Sequence, residues 1–138
     1  MNSALRKVVG LTIWWTEGTK PRYDTRWGSI RINTIDVTNT NPQIIKAFLN
    51  FLRKDIKIDE RRLKLQLHIH EGDDKNLIET YWSKITSIPK SRFNKTIIRP
   101  IGKKPGKSKG TCKIRYTDKK SLDKIISLLD NLIIRRVV

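Results

Sequence analysis

Leu63-Lys64-Leu65-Gln66-Leu67-His68-Ile69-His70 alternates apolar and polar residues without a break. Successive side chains of a strand point to opposite faces, so Leu63, Leu65, Leu67 and Ile69 share one face. Lys64, Gln66, His68 and His70 share the other. Such a strand belongs to a sheet with one buried and one wet face, and something apolar has to cover the buried one. The flanking segments supply that cover. Upstream, Asn41-Pro42 opens a helix, with Asn as cap and Pro in the first turn. Ile44, Ile45, Phe48, Leu49 and Leu52 form its buried stripe up to about Lys54. Downstream, Asp73 or Asp74 caps a helix with Leu77, Ile78, Tyr81, Trp82 and Ile85 on its inner face, and Pro89 stops it.

Working outward, Ser29 to Asn39 alternates as extended chain, with a slip of phase at Asn33-Thr34 that predicts a bulge or a tight turn. Phe93 to Arg99 and Thr111 to Thr117 read as further strands. A last helix starts at a Ser121 cap and carries Leu122, Ile125, Ile126, Leu129, Leu132 and Ile133. The first helix runs from a Ser3 cap to Glu17, with Leu5, Val8, Val9, Thr12, Ile13 and Thr16 at helical spacing. Gly18 then fits the left-handed position that closes a helix, and residues 21 to 28 read as a loop. Trp14, Trp15 and Trp27 are expected in the core. The order is α–β(β)–α–β–α–β–β–α, an α+β domain with helices on one face of a sheet. No linker divides residues 1–138, so we expect a single domain.

Charge narrows the function. Thirty Lys and Arg stand against thirteen Asp and Glu, a formal net charge of +17. A field of that size attracts polyanions and repels itself, and nucleic acid is the partner it fits best. No run of apolar residues is long enough for a membrane span. Cys112 is the only cysteine, which excludes an intrachain disulfide and a cysteine-built zinc site. With no signal-peptide pattern, a cytoplasmic, nucleoid-associated location is expected.

Four features carry chemistry. On the polar sheet face, Lys64, Gln66, His68 and His70 would stand beside Arg31 or Asn33 and Lys113 or Arg115. Arg and Lys pair with guanine, Gln and Asn with adenine, so such a face can read duplex DNA in the major groove. Lys90 to Lys120 sets a run of Lys and Arg against the single acid Asp118, including Arg99 and the Gly102–Gly110 loop with Lys103, Lys104, Lys107 and Lys109; these suit phosphate contacts. His68 and His70 share a strand face, but two histidines with no evident third ligand are a weak zinc site. Glu17 ends the first helix, where the dipole disfavours a carboxylate, so a divalent cation is expected to offset it; the alternative is a solvated Glu17 near Lys20 or Arg22.

Gly10-Leu11-Thr12-Ile13-Trp14-Trp15-Thr16-Glu17-Gly18 resembles the motif of the LAGLIDADG homing endonuclease family, in a divergent single-motif form. Glu17-Gly18 then takes the place of the motif's closing acid-glycine pair, with Thr12 and Thr16 in place of small residues. The resemblance implies an αββαββα core whose curved antiparallel sheet saddles the major groove, with the Tyr81-Trp82 helix inserted between strands. It implies a homodimer packed through its motif helices, here through Val9, Thr12, Ile13 and Thr16, and a palindromic or near-palindromic target. Glu17 would hold Mg²⁺, assisted by the carbonyl of Thr16, and a lysine, Lys95 or Lys113, would stabilise the transition state. Catalysis would be Mg²⁺-dependent phosphodiester hydrolysis. The alternatives are a non-catalytic DNA-binding regulator or splicing helper on the same fold, and an RNA-binding basic protein.

Overall fold

The structure, a computed structural model, describes residues 2–20, 22–24, 30–100 and 109–137, with the backbone alone for 22–24, 30, 31 and 134–137. Helix α1 (Ser3–Glu17) leads into β1 (Arg22–Asp24), β2 (Ile30–Ile32) and β3 (Thr34–Asn39). Helix α2 (Pro42–Phe51) follows, then β4 (Lys64–His70), α3 (Lys75–Thr86), β5 (Ile97–Arg99), β6 (Thr111–Thr117) and α4 (Lys119–Val137). The architecture is α+β, as the sequence predicts.

The main sheet has the strand order β3-β6-β4-β5. Strand β6 is antiparallel to both β3 and β4, whereas β5 runs parallel to β4. The expected all-antiparallel sheet is therefore mixed. Parallel neighbours need a long crossover, and α3 provides it between β4 and β5. Strand β5 is also shorter than the predicted Phe93–Arg99 run. A 3₁₀ turn at residues 90–92 precedes it, and Phe93 meets β4 only in a single bridge to Leu65.

The segment after α1 does not simply loop. Strands β1 and β2 pair antiparallel, and Gly18 bridges Val37 in the same sense. Gly18 lies opposite Val37 and Arg22 opposite Ile32, so four steps on one side face five on the other. The difference falls between these two pairings, in the stretch where β2 and β3 break at Asn33 and the alternation slips.

Burial follows the alternation. Leu63, Leu65, Leu67 and Ile69 are buried, as are Ile35 and Val37 of β3 and Cys112, Ile114 and Tyr116 of β6. Helices close over them with Ile45, Phe48, Leu49 and Phe51 of α2, Ile78 and Trp82 of α3, and Leu122, Ile125 and Leu129 of α4. Trp82 is pinned as well as packed, its indole donating to the Lys109 carbonyl at 2.7 Å. Leu77, expected on the inner face, is 56 % exposed. It lies one residue before the buried Ile78, and the helix turns it outward.

Capping is shifted in two places. Asn2, not Ser3, caps α1 by accepting from the Leu5 amide at 2.8 Å. Asp118, not Ser121, caps α4, accepting from the Ser121 amide at 3.0 Å and from its hydroxyl at 2.7 Å. At the other two helices, Asn41 and Asp74 cap as expected.

Helix α1 departs most from its expected orientation. Its buried residues are Gly10, Leu11 and Trp14, while Val9 and Ile13 are half-buried and Leu5, Val8, Thr12 and Thr16 are exposed. Gly10 has no side chain to add to an apolar stripe, yet it sets the helix pair. A Cβ there would lie 2.1 Å from Cγ of the fully buried Phe51. Below, Arg6 grips the buried Asp55 with two bonds of 2.7 and 2.9 Å, tying α1 to the turn that continues α2. Gly10→Ala should therefore destabilise the protein. The gain in helix propensity is about 1 kcal/mol, but overpacking costs about 1–3 kcal/mol, near the top here because the ring has no room to retreat. Urea unfolding of the two proteins checks this; an unchanged or raised midpoint would contradict the packing.

Candidate nucleic-acid interface

The outward side chains of the sheet form rows fixed by register. Asp36, Arg115 and Lys64 stand level across β3, β6 and β4, and Thr38, Lys113 and Gln66 make the next row. His68 follows opposite Thr111, and His70 opposite Arg99. The sheet thus brings Lys64, Gln66, His68, His70, Arg99, Lys113 and Arg115 to one face, as the alternation predicts. Asn33 lies at the break between β2 and β3, its side-chain oxygen buried without a partner among the described residues. The Arg31 side chain and Lys103, Lys104, Lys107 and Trp27 lie outside the described residues. The Lys109 ammonium sits 5.6 Å over the Tyr81 ring of α3.

Two of the depressions on this face adjoin β4. One, of about 580 Å³, is lined by Arg61, Arg62, Lys64, Asn94, Arg115 and Thr117. Arg61 and Arg62 are additions to the expected set, although the run Arg61-Arg62-Leu63-Lys64 places both just before the strand that carries the face. Each is partly tethered, Arg61 to Asp59 and Arg62 to Asp118. The second depression, of about 280 Å³, contains Thr38, His68, His70, Arg99 and Thr111.

His68 has a definite protonation preference. Burial, with Arg99 and Lys113 nearby, holds its pKa below the ordinary 6.5. The Arg99 guanidinium approaches His68 Nδ1 to 3.4 Å, an approach that only a neutral ring accepting at Nδ1 can use. Because the folded pKa is depressed, the unfolded chain binds a proton first as pH falls. The contribution of His68 to stability is complete above about pH 6.5 and is lost as pH drops through the folded pKa. Melting temperature should therefore start to fall below about pH 6.5, ahead of the carboxylates, and His68→Gln should remove that early part of the decline. An identical pH profile for the variant would contradict this.

At the end of α1 the geometry differs from the expected cap. Gly18 is extended, with φ −84° and ψ 151°, so it is not left-handed. Glycine is required there for space, since a Cβ would lie 2.5 Å from the Trp14 carbonyl oxygen and 2.6 Å from its ring. Lys20 folds back and donates to the carbonyls of Trp14 and Gly18 at 3.0 and 2.9 Å, with its ammonium 4.9 Å from the Trp14 ring centre. A lysine thus supplies the positive charge that the helix end calls for. Glu17 is exposed beside it. The Thr12 and Thr16 hydroxyls bond back to the carbonyls of Val8 and Thr12. Trp15, expected in the core, is 51 % exposed.

Register separates the two candidate lysines. Gly18 bridges Val37 of β3, and Lys113 pairs with the next residue of that strand, Thr38, so Lys113 lies on the strand beside the one that meets the helix end. Lys95 is further away: its carbonyl accepts from the Gln66 amide at 2.9 Å, on the far side of β4. Beside the helix end, Asp36 lines a cavity of about 80 Å³ together with Lys20, Lys113 and Arg115. Among the described residues, no three His, Cys, Asp or Glu side chains converge as a metal site, which leaves His68 and His70 without a third ligand.

Comparison with known proteins returns no match. No family model fits the chain, and no curated protein or solved structure is similar to it. Among the described residues, no helix is long and apolar enough to cross a membrane.

Proposed function

We propose that the protein binds duplex DNA through the outward sheet face and cuts it in a Mg²⁺-dependent reaction as a homodimer, as its resemblance to LAGLIDADG homing endonucleases implies. The observation that carries this reading is the composition of the face. Lys64, Lys95, Arg99, Lys113 and Arg115, two imidazoles and the Gln66 amide stand across β4, β5 and β6 or along their rim. The carboxylate in their rows, Asp36, is buried. Cations meet phosphates, while Gln66 and the guanidinium groups suit base edges.

A second copy has a surface to meet. Leu5, Val8 and Trp15 are 50, 41 and 51 % exposed along α1, and Val8 continues into an apolar groove shared with Leu128 and Leu132 of α4. A helix that is apolar on both its inner and outer faces is suited to burial on both. This outer stripe, with Thr12 and Thr16 beside it, fits the dimer interface better than Val9 and Ile13, which turn toward the body of the protein. In the cutting reaction, Glu17 would hold the metal and Lys113 would face the charge developing on the phosphate.

One observation favours the non-catalytic alternative. Lys20 already neutralises the end of α1, so a metal is not needed there to offset the dipole. In that version the same face binds DNA as a regulator or splicing helper.

Gln66→Ala and His68→Ala test the interface itself. Each should relax sequence preference at a few base pairs, by about 1–3 kcal/mol of discrimination for each bidentate side chain-to-base pairing removed, with binding to unrelated duplexes little changed. Uniform weakening on all sequences would remove both residues from base recognition.

A further inference from the structure

Lys64 and Arg115 stand directly opposite each other on β4 and β6, with their side chains on the same outward face. Like charges so paired destabilise a sheet, and a third cation joins them. Arg62 is held in place: its guanidinium donates to the Thr117 carbonyl, reaches Asp118 at 3.4 Å and lies 5.4 Å from the Tyr116 ring centre. All three line the depression of about 580 Å³ at the end of the sheet, together with Arg61, Asn94 and Thr117, and among the described residues no Asp or Glu lines it. The carboxylates around it are engaged elsewhere. Asp118 also caps α4, accepting from the Ser121 amide and hydroxyl at 3.0 and 2.7 Å. Asp59 takes two bonds of 3.2 Å from Arg61. Asp36, level with Arg115 on β3, lines the separate cavity beside the helix end.

We infer that this depression is a phosphate site, in which Arg62, Lys64 and Arg115 converge on a single phosphate group, and that DNA fills it with one phosphodiester of its backbone. The source of the phosphate rests on the DNA-binding reading above. Planar guanidinium groups present paired N–H donors that match phosphate oxygens, and Lys64 adds a point charge. Arg62 is already fixed by Tyr116 and Thr117, so less side-chain freedom is lost on binding. A phosphate here neutralises the like-charged pair. The next row has no such need, since Lys113 stands opposite the neutral Gln66. Strand geometry gives the site a consequence for recognition. Gln66 and His68 follow Lys64 on the same face, roughly 7 and 13 Å along β4. A phosphate anchored at Lys64 therefore fixes the register in which these two side chains reach base edges.

Inorganic phosphate is the probe for the free protein, titrated at constant ionic strength while the guanidinium N–H signals of Arg62 and Arg115 are followed by NMR. Both should shift together and saturate. In the double variant Lys64→Gln, Arg115→Gln, the Arg62 signal should need about tenfold more phosphate or more, because two charge-assisted contacts are gone. The same variant should bind two unrelated duplexes more weakly by one common factor of about tenfold or more. Its slope of log affinity against log salt should become shallower by about 0.9, the share of one phosphate. Its melting temperature should hold or rise, because the like-charged pair has been removed. Lys64→Gln alone, at an exposed position, repeats the measurements should the double variant misfold. No saturable shift in the folded wild type, an unchanged salt slope in the variant, or a slope shallower by about twice that amount would overturn the shared phosphate site and leave DNA binding by the sheet face standing. Phosphate binding by a folded wild type that binds no duplex would keep the site and overturn the DNA-binding reading instead.

Discussion

Glu17→Gln should abolish Mg²⁺-dependent cutting of duplex DNA while duplex binding survives. Glu17 is exposed at the end of α1, and among the described residues its side chain makes no structural bond that an amide would break. The helix end is held by Lys20 and by the packing of Gly18 against Trp14, and neither involves the Glu17 side chain. Folding should therefore be unaffected. If Glu17 holds the catalytic metal, its loss should slow cleavage by about 10³-fold or more, since a bound metal contributes several kcal/mol of transition-state stabilisation. Affinity should stay level or rise slightly with one fewer negative charge near the phosphates. Single-turnover cleavage and filter binding on the same duplex separate the two. Parallel loss of both activities would make Glu17 structural, and unchanged cutting would remove it from the metal site.

Salt should act almost as strongly. Lys64, Lys95, Arg99, Lys113 and Arg115 stand on or around the sheet face, and Arg61 and Arg62 at its end. Each phosphate neutralised by such a group releases condensed counterions. A protein making about six to ten phosphate contacts loses roughly 10³–10⁵ in affinity between about 50 and 200 mM salt. Because this part of the affinity carries no sequence information, specific and unrelated duplexes should weaken together. A titration by fluorescence anisotropy gives the slope. A flat response would mean that the +17 charge of the chain serves another partner.

Much of this fold is written locally. The spans of α1 and β6 agree with their sequence periodicity, as does the Asn41-Pro42 start of α2, because caps, proline and alternation act within a few residues. The polar face of β4 is legible for the same reason. What sequence does not show depends on distant chain. Gly10 reads as a weak point in an apolar helix until Phe51 is packed against it. Gly18 suggests a left-handed cap, yet its real constraint is the crowding of Trp14. The parallel placement of β5 follows from the crossover through α3, and the exposure of Trp15 and Leu77 from how each helix is rotated against the sheet. The candidate site divides likewise. Its cations can be read from β4 and β6, and Lys20 from its place near Glu17, whereas the bonds of Lys20 to the helix-end carbonyls and the burial of Asp36 emerge only when the chain after α1 lies along β3.

Selection from a randomised duplex library tests the central claim most directly, with the wild type and Glu17→Gln carried in parallel and Mg²⁺ added after capture. One recurring, near-palindromic sequence should be retained by both proteins and cut only by the wild type. Retention of all duplexes alike, or displacement of the library by structured RNA of similar length, would contradict sequence reading by the sheet face.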